Sequence, residues 1–343
     1  MIEINSNFSQ PPQKKAKAIG LLSGGLDSML ACKIMVDLGV EVHAVYFAQP
    51  WGCCDKAKAM ATAERLGIKF IPLQLDERYL QIIKKPKYGY GTALNPCRDC
   101  RIHMFARAGQ YMRAIGADFV FTGEVLGQRP MSQLRDSMRT IERDADLEGR
   151  LLRPLCAQLM EPTIPEQEGL VNRARLLSIT GRSRKEQLRL ADEFGIADFP
   201  APAGGCMLTK KPFADRMRDV FKYGYRDFRE TIALQWGRHF RVSQNFKIVV
   251  GRDEAENAAL IRFAHSDDHI LGLETQDGPI GIVKGEHPTE EILQMAAGLM
   301  QRFSRYKDAE SIVTHCWLSK DKNTLRKIRS QRLAESAIEK MKV

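Results

Sequence analysis

The sequence contains no long apolar run. No stretch approaches the roughly 20 consecutive apolar residues that a membrane helix requires. The first 17 residues lack the apolar core of a secretory signal peptide, and they carry two prolines and three lysines instead. We therefore expect a cytoplasmic protein without a membrane partner, whose residues 1–17 form a flexible arm.

The sequence also has fewer acidic than basic residues, and it contains neither an internal repeat nor a long low-complexity tract. Its 343 residues include 52 Lys and Arg against 42 Asp and Glu, which gives a formal net charge of +10. An excess of this sign favours a polyanionic partner, because phosphate contacts release counterions. The hydrophobic share of 44% is typical of globular proteins, and the length allows two domains that each have a core.

A Gly-Lys-Ser/Thr Walker loop is absent, which argues against γ-phosphoryl transfer. The chain has instead the hexapeptide Ser-Gly-Gly-Leu-Asp-Ser at 23–28, between an apolar run at 18–22 and an amphipathic stretch at 29–35. A strand that stops at two glycines and opens into a helix presents backbone N–H groups and the positive end of the helix dipole to an anion. Glycine in such turns often serves only to reach positive φ, but the full hexapeptide favours a phosphate-binding loop.

We predict a role in phosphate binding for five residues of this loop. Gly24 and Gly25 leave the backbone N–H groups accessible, and Ser23 and Ser28 add hydroxyl donors. Asp27 adds a carboxylate that is suited to hold a Mg²⁺ ion bridging phosphate oxygens.

Predicted strands and helices alternate along the first half of the chain. Apolar patterning predicts five strands, at 18–22, 42–47, 69–75, 118–122 and 151–155. Helices are predicted at 57–66 and 101–115, whereas residues 76–96 are predicted to be irregular. The alternation implies an α/β fold with a parallel sheet covered on both faces, so ligands are expected at the carboxyl ends of the strands.

Beyond this alternation the composition changes. Ser183 and Glu186 form a capping-box pattern that opens a helix, and a turn-rich loop around Cys206 follows. Strand-like and helix-like segments from about residue 240 indicate a separate small α/β module. The residues from Lys320 onward carry eight Lys or Arg against three Asp or Glu. The predicted domains are an arm at 1–17, a nucleotide-binding domain at 18–239, the module at 240–320 and a basic, helical tail at 321–343.

Eight cysteines in a sequence of cytosolic type suggest metal or catalytic sites rather than disulfides. Cys97 and Cys100 have Cys-x-x-Cys spacing, and Cys206 follows two glycines that let a third thiolate approach closely. Three thiolates suit a [4Fe-4S] cluster whose fourth iron stays open for a ligand such as sulfide. Two alternatives stay open: a catalytic pair in which one cysteine carries a persulfide that the other resolves, and a zinc or inert site.

The remaining cysteines are predicted to have no ligand role. Cys32 is predicted to lie in the core, and Cys156 and Cys316 to be structural. Cys53 and Cys54, near the end of the second strand, are predicted to lie in a loop, and their role is left open.

Several motifs carry a resemblance to enzymes that thiolate tRNA. The hexapeptide at 23–28 resembles the pyrophosphate-loop (PP-loop) signature of ATP pyrophosphatases, which split ATP between its α and β phosphates. Phe-Thr-Gly-Glu-Val-Leu-Gly-Gln at 121–128, with Ser-Gln at 132–133, resembles the 4-thiouridine synthases, as does Leu-Arg-Pro-Leu at 152–155. Phe47 follows their second-strand pattern, in which the strand end lines the adenine pocket.

The resemblance implies ATP and Mg²⁺ as cofactors and tRNA as the partner. ATP would adenylate a uridine carbonyl oxygen, and sulfur from sulfide or another donor would then displace AMP. Besides the phosphate-binding loop, Phe47 and Gly123 are implied to lie at the nucleotide. Asp27, Cys97 and Cys206 are implied to be catalytic, and Cys97, Cys100 and Cys206 to hold the [4Fe-4S] cluster.

The sequence also differs from the 4-thiouridine synthases in several respects. Asn-Pro-Cys-x-x-Cys at 95–100 resembles the tRNA 2-thiouridylases, so 4-thiouridine is the expected product and 2-thiouridine stays an alternative. We expect neither an N-terminal tRNA-binding domain before residue 18 nor a C-terminal rhodanese-like domain, which favours cluster-bound sulfide over a persulfide relay. RNA binding is then expected from residues 240–318, which resemble the RNA-binding module of NFACT-type proteins. Dimerisation through this module, and so a homodimer, is the alternative.

Two other classes of function remain as competitors. One is a PP-loop ligase or amidotransferase that acts on a small molecule, and the other is a non-catalytic RNA-binding protein that retains an ATP fold. The net charge and the 121–128 stretch argue against the first, and the intact Asp27 and cysteine trio argue against the second.

Overall fold

A computed structural model describes residues 15–52, 54–201, 205–275 and 277–343. They form two compact units, the first comprising residues up to 91 and 95–206, and the second comprising 92–94 and 207–343. The units divide after Cys206, whereas the predicted boundary falls at 239. No helix within the described ranges is long and apolar enough to cross a membrane.

The first unit is an α/β layer structure. Its strands are β1 (Lys17–Leu21), β2 (Glu41–Ala48), β3 (Lys69–Gln74), β4 (Phe119–Thr122) and β5 (Leu151–Leu152). Its helices are α1 (Leu26–Asp37), α2 (Lys56–Arg65), α3 (Glu77–Lys84), α4 (Cys97–Ala114), α5 (Arg135–Asp144), α6 (Ile164–Gln167) and α7 (Lys185–Glu193). The sheet order is β3-β2-β1-β4-β5 with all four pairings parallel, which confirms the predicted fold class.

The order of the strands follows from their side chains. The central strands β1, β2 and β4 are largely buried, as expected where helices cover both faces of a parallel sheet. The edge strand β3 is more exposed and accommodates Pro72, which cannot donate to a ladder and is tolerated at an edge. Because the strands are parallel, the loops that follow β1, β2 and β4 meet at one edge of the sheet.

Several local predictions for this unit are wrong. Residues 76–96 contain α3, which buries Tyr79 and Ile83. Asp76 caps this helix, since its side chain accepts from Arg78 N at 3.1 Å. Helix α4 begins at Cys97 rather than at 101. Ser183 is not the N-cap of α7, which begins one residue after Arg184 without a side-chain cap.

The second unit is built on an antiparallel sheet. Its strands are β6 (Arg238–Arg241), β7 (Lys247–Val250), β8 (His269–Leu273), β9 (Gly281–Lys284), β10 (Val313–Leu318) and β11 (Asp321–Arg329). Its helices are α8 (Lys211–Tyr223), α9 (Phe228–Ala233), α10 (Glu254–Phe263), α11 (Glu290–Arg302) and α12 (Glu335–Met341). The sheet order is β11-β10-β8-β9-β7-β6.

The predicted helical tail is wrong over 321–329. These residues form β11, which pairs with β10 from Val313↔Arg329 to Leu318↔Asp321 and buries Ile328. Charged residues occupy most of its other positions, as is usual for an edge strand. Charge patterning alone therefore did not distinguish this strand from a basic helix.

Candidate active site

The loop between β1 and α1 is held by its own side chains. Ser28 Oγ donates to Gly25 O at 2.7 Å and accepts from Ser23 N at 3.2 Å. Gly24 adopts φ +82°, and a Cβ there would overlap the carbonyl oxygen of Asp55. The loop is thus a tight backbone turn at the N-terminus of α1, the geometry that presents N–H groups to phosphate.

Gly123 packs directly on this turn. It follows β4, and a Cβ at this position would overlap the carbonyl of Asp27 and lie 2.5 Å from Ser28 N. The end of β4 therefore contacts the backbone of the first turn of α1, which only glycine permits.

Gly123→Ala is expected to weaken ATP binding by at least about tenfold. The added methyl group must push the first turn of α1 aside, at a typical overpacking cost of about 1–3 kcal/mol. Isothermal titration with a non-hydrolysable ATP analogue, together with thermal unfolding, measures both effects. Gly39→Ala is the matched control. A Cβ at Gly39 would be strained by the positive φ of +80°, but it would meet no atom within 4 Å, and Gly39 is distant from the loop. An equal loss of affinity in both variants would contradict the role of Gly123.

Asp27 has one satisfied and one orphaned carboxylate oxygen. Oδ2 accepts from Gln128 Nε2 at 3.1 Å, whereas the buried Oδ1 has no partner in the described part of the chain. Burial raises the pKa of Asp27, and the Gln128 bond and the charges of Arg184 and Arg129 partly oppose that shift. A buried carboxylate oxygen that lacks a donor fits a Mg²⁺ ion held beside phosphate oxygens.

The sequence analysis missed two residues near Asp27. Gln187 on α7 is fully buried, and its side chain lies beside the Asp27 carboxylate, whose pKa it helps to lower. The positive charge of Arg184, one residue before α7, acts on Asp27. The sequence indicated a helix start here, but nothing in it showed that this end of α7 faces the loop after β1. Gln128, which contacts Asp27, is the last residue of the 121–128 motif, so its place in that motif was the available signal for a role near the loop.

A buried ion network anchors the loop after β4. The carboxylate oxygens of Glu124 lie 3.1 Å from Arg101 Nη1 and 3.1 Å from Arg153 Nε. Arg153 also contacts Glu142 at 3.0 Å. The network ties Glu124 to α4 and α5 and so fixes its neighbour Gly123 against α1. The ion pair between Glu124 and Arg153 thereby joins the Thr-Gly-Glu motif at 122–124 to the Leu-Arg-Pro-Leu motif at 152–155.

The three predicted cysteine ligands lie in one region of the first unit. Cys100 is buried, and its Sγ lies 2.9 Å from Gln49 Nε2 and 3.1 Å from Tyr79 Oη. Burial, with a smaller contribution from the nearby Cys97 and Cys206, raises the pKa of the Cys100 thiol to about 12, although the bond to Tyr79 opposes the shift. Cys97 and Cys206 are partly exposed. The fold thus brings Cys206 to the Cys-x-x-Cys pair across about a hundred residues of chain.

Two loops connect the cysteines with the predicted phosphate-binding loop. In the loop after β2, Gln49 contacts Cys100, Trp51 O accepts from Cys206 Sγ at 3.2 Å, and Asp55 N donates to Ser23 O at 3.0 Å. In the loop after β4, Gln128 donates to Asp27, while Ser132 Oγ lies 3.7 Å from Cys97 Sγ. Each loop therefore touches the predicted nucleotide site at one point and a predicted sulfur ligand at another.

The other predicted residues occupy varied positions. Phe47 is buried near the carboxyl end of β2, opposite Leu73 of β3, and its role at the adenine stays a prediction. Cys32, Cys156 and Cys316 are buried, and burial raises the pKa of each thiol. Cys53 and Gly204 lie outside the described residues. Within the described ranges, no three His, Cys, Asp or Glu residues form a group arranged to hold a metal ion.

The parallel sheet with helices between its strands defines the first unit as an α/β structure with a glycine turn after its first strand. Residues 13–162 match the family model of the thiamine biosynthesis protein ThiI, and residues 237–341 match that of the NFACT protein RNA binding domain. The matches confirm the predicted resemblance to PP-loop tRNA thiolation enzymes, with an NFACT-type module in the second half of the chain.

Individual relatives are similar over shorter segments. The chain is 32% identical over 131 residues to the tRNA-specific 2-thiouridylase MnmA of Micrococcus luteus, an alignment that covers 33% of this chain and 35% of that protein. The MnmA of Mycobacterium tuberculosis is 32% identical over 147 residues, covering 38% and 39%. The chain thus spans little more than a third of the length of these curated relatives.

A solved structure shows a weaker likeness. A 4-thiouridine synthetase in complex with RNA and bound ATP is 20% identical, covers 53% of this chain and 52% of its own, and gives a TM-score of 0.33. A likeness at this level supports no functional assignment.

Proposed function

We propose that the chain is an ATP-dependent tRNA sulfurtransferase that releases AMP and pyrophosphate. One observation carries the proposal: the loops after β2 and β4 each contact both the phosphate-binding loop and a cysteine of the trio. Activation by ATP and delivery of sulfur can then occur at the same edge of the sheet. A small-molecule ligase needs the first of these functions but has no use for the second.

The phosphate-binding loop serves the first step. Ser23, Gly24, Gly25 and Ser28 bind the phosphates, and Asp27, whose Oδ1 is orphaned, would hold a Mg²⁺ ion, which would neutralise charge on the phosphates. The uridine carbonyl oxygen attacks the α-phosphorus, and pyrophosphate leaves. The oxygen is thereby converted into part of a good leaving group, AMP.

Sulfur replaces the activated oxygen in the second step. The sulfur nucleophile bonds to the ring carbon, and AMP leaves with the former carbonyl oxygen. Thiolates and hydrosulfide are good nucleophiles at neutral pH, so the step needs no strong base.

We propose that Cys97, Cys100 and Cys206 hold a [4Fe-4S] cluster. The donor set fits, because thiolates are the usual ligands of such clusters and the fold gathers the three cysteines in one region of the first unit. The cluster would supply an iron with an open position for sulfide. Since the described residues do not form a ready metal-binding group, loading requires the three thiols to draw together.

The position of the sulfur is proposed to be the 4-position of uridine. Support comes from the stretch at 121–128 and from the ThiI family match over 13–162. The second candidate is 2-thiouridine formation with a catalytic cysteine pair. It is favoured by the contrast between the partly exposed Cys97 and Cys206 and the buried Cys100, whose thiol pKa burial raises to about 12.

The proposed RNA contact lies in the second unit. The NFACT-type match covers most of its sheet, and the net charge of +10 suits a phosphate backbone. With RNA binding assigned to the second unit, the first unit is assigned the binding of ATP and sulfur.

The test is a reaction of anaerobically purified protein with an unmodified tRNA transcript, ATP, Mg²⁺ and sulfide. Nucleoside mass spectrometry is expected to show one thiolated uridine per tRNA, and chromatographic comparison with standards distinguishes 4-thiouridine from 2-thiouridine. AMP release is expected to depend on tRNA. Release of AMP without tRNA and without any thiolated nucleoside would contradict the proposal and favour a small-molecule ligase.

A further inference from the structure

Three arginines from three elements meet at one edge of the second unit. Arg216 lies on α8, Arg238 begins β6, and Arg252 follows β7, which pairs with β6 through Arg238↔Val250. Arg238 Nη1 donates to Gly251 O at 3.3 Å, and Arg252 Nη2 donates to Gly237 O at 2.8 Å. Gly251 directly precedes Arg252, and Gly237 directly precedes Arg238. The guanidinium group of each arginine is therefore held by backbone next to the other arginine.

The charges of this arginine cluster (Arg216, Arg238 and Arg252) are not balanced. Glu256 pairs with Arg252 at 2.7 Å, and its carboxylate also accepts from the backbone N–H groups of Gly237 and Arg252. Among the residues that the structure describes, neither Arg216 nor Arg238 makes a salt bridge. One carboxylate therefore faces three guanidinium groups.

The cluster is also partly desolvated. Burial lowers the pKa of Arg216 to about 10, and the charge of Arg252 adds to that shift; burial and Arg252 lower the pKa of Arg238 in the same way. Arg216 Nη1 donates to Leu234 O at 2.9 Å, but its buried Nε has no partner in the described ranges. An anion bound here would satisfy that N–H group and relieve the repulsion between the guanidinium groups.

The side chains are held in place before any ligand arrives. The Arg238 guanidinium lies over the Phe303 ring, 4.5 Å from its centroid, and Phe303 stacks on Phe240. Planar guanidinium groups fixed in this way match the oxygens of a phosphate group, to which arginine donates through two parallel N–H bonds.

We propose that the arginine cluster is a phosphate-binding site and that its ligand is a backbone phosphate of the RNA substrate. The assignment rests on the proposed function, which makes RNA the partner of this unit. A phosphate of free ATP has the same chemistry, but the phosphate-binding loop of the first unit already provides for ATP. The cluster would thus fix the register of the RNA rather than read its sequence.

The test is tRNA binding by the full chain, followed by fluorescence anisotropy over a range of salt concentrations. The double variant Arg216→Gln/Arg238→Gln is expected to bind tRNA about tenfold more weakly, with a logarithmic salt slope reduced by about one for each lost phosphate contact. ATP affinity is expected to stay unchanged. Lys320→Gln/Lys322→Gln is the matched control, because it removes the same charge from exposed positions at or beside β11, the opposite edge of this sheet.

A second measurement uses the unmodified protein and so does not depend on folding of a variant. Phenylglyoxal modifies arginine side chains, and mass spectrometry locates the modified residues. Bound tRNA is expected to protect Arg216 and Arg238 from phenylglyoxal, whereas both arginines are expected to stay reactive in the presence of ATP alone.

The outcomes separate the two proposals. Protection by ATP, equal losses in both double variants, or no change in the arginine variant would overturn the phosphate site. Failure of the unmodified protein to bind tRNA at all would instead overturn RNA as the partner, and with it the proposed function.

Discussion

Asp27→Asn is expected to lower ATP turnover by about 10³-fold, the typical loss when one electrostatic contact to a transition state is removed. The amide keeps the shape of the side chain and can still bond to Gln128, but it removes the negative charge that a Mg²⁺ ion requires. Affinity for tRNA is expected to stay unchanged, because Asp27 is buried at the phosphate-binding loop and is no RNA contact. Pyrophosphate release and tRNA anisotropy measure the two quantities separately.

The matched control for this variant lies on the same helix. Asp37→Asn makes the same chemical change at the other end of α1, where Asp37 pairs with Lys33 on the surface. It is expected to retain ATP turnover. Equal loss of turnover and of tRNA affinity in Asp27→Asn, without loss of folding, would mean that the loop has been assigned to the wrong ligand.

Cysteine substitution is expected to separate the two half-reactions. Cys97→Ser and Cys206→Ser should abolish thiolated uridine while tRNA-dependent pyrophosphate release continues, because the phosphate-binding loop and Asp27 are untouched. Cys316→Ala, which removes a buried thiol of the second unit, is expected to retain both activities. Loss of pyrophosphate release in Cys97→Ser would contradict this division of roles.

Cys100→Ser distinguishes the cluster from the catalytic pair. If the trio holds a [4Fe-4S] cluster, this variant should lose the approximately four irons and the broad absorption near 400 nm that the unmodified protein carries when prepared anaerobically. It should then lose sulfur transfer as well. If Cys97 and Cys206 act as a pair, the buried Cys100 is dispensable, and metal-free protein remains active.

Local sequence was a good guide where a short motif decides the structure. The turn at 23–28 and the parallel strands beside it were predictable, because they depend on glycine geometry and on buried apolar runs, whereas the resemblance alone pointed to Gly123. The missed helix α3 has only eight residues, and the misassigned strand β11 carries charges at five of its nine positions. Tertiary contacts decide them: Tyr79 packs toward Cys100, and Ile328 pairs with Thr314 in the sheet.

The less predictable parts of the site involve contacts over long stretches of chain. Gln187 and Arg184 come near Asp27 only because α7 returns to the loop after β1, about 160 residues later. The arginine cluster likewise depends on the β6–β7 pairing and on α8. Neither arrangement has a spacing that a single sequence reveals.

The loop from Gln49 to Asp55 has a thermodynamic consequence. Its backbone is hydrogen-bonded to Ser23 at one end, and its side and main chains contact Cys100 and Cys206 at the other. We therefore expect nucleotide bound at the proposed site to change the free energy of the thiols, and by linkage any sulfur species held on them to change nucleotide affinity by the same factor.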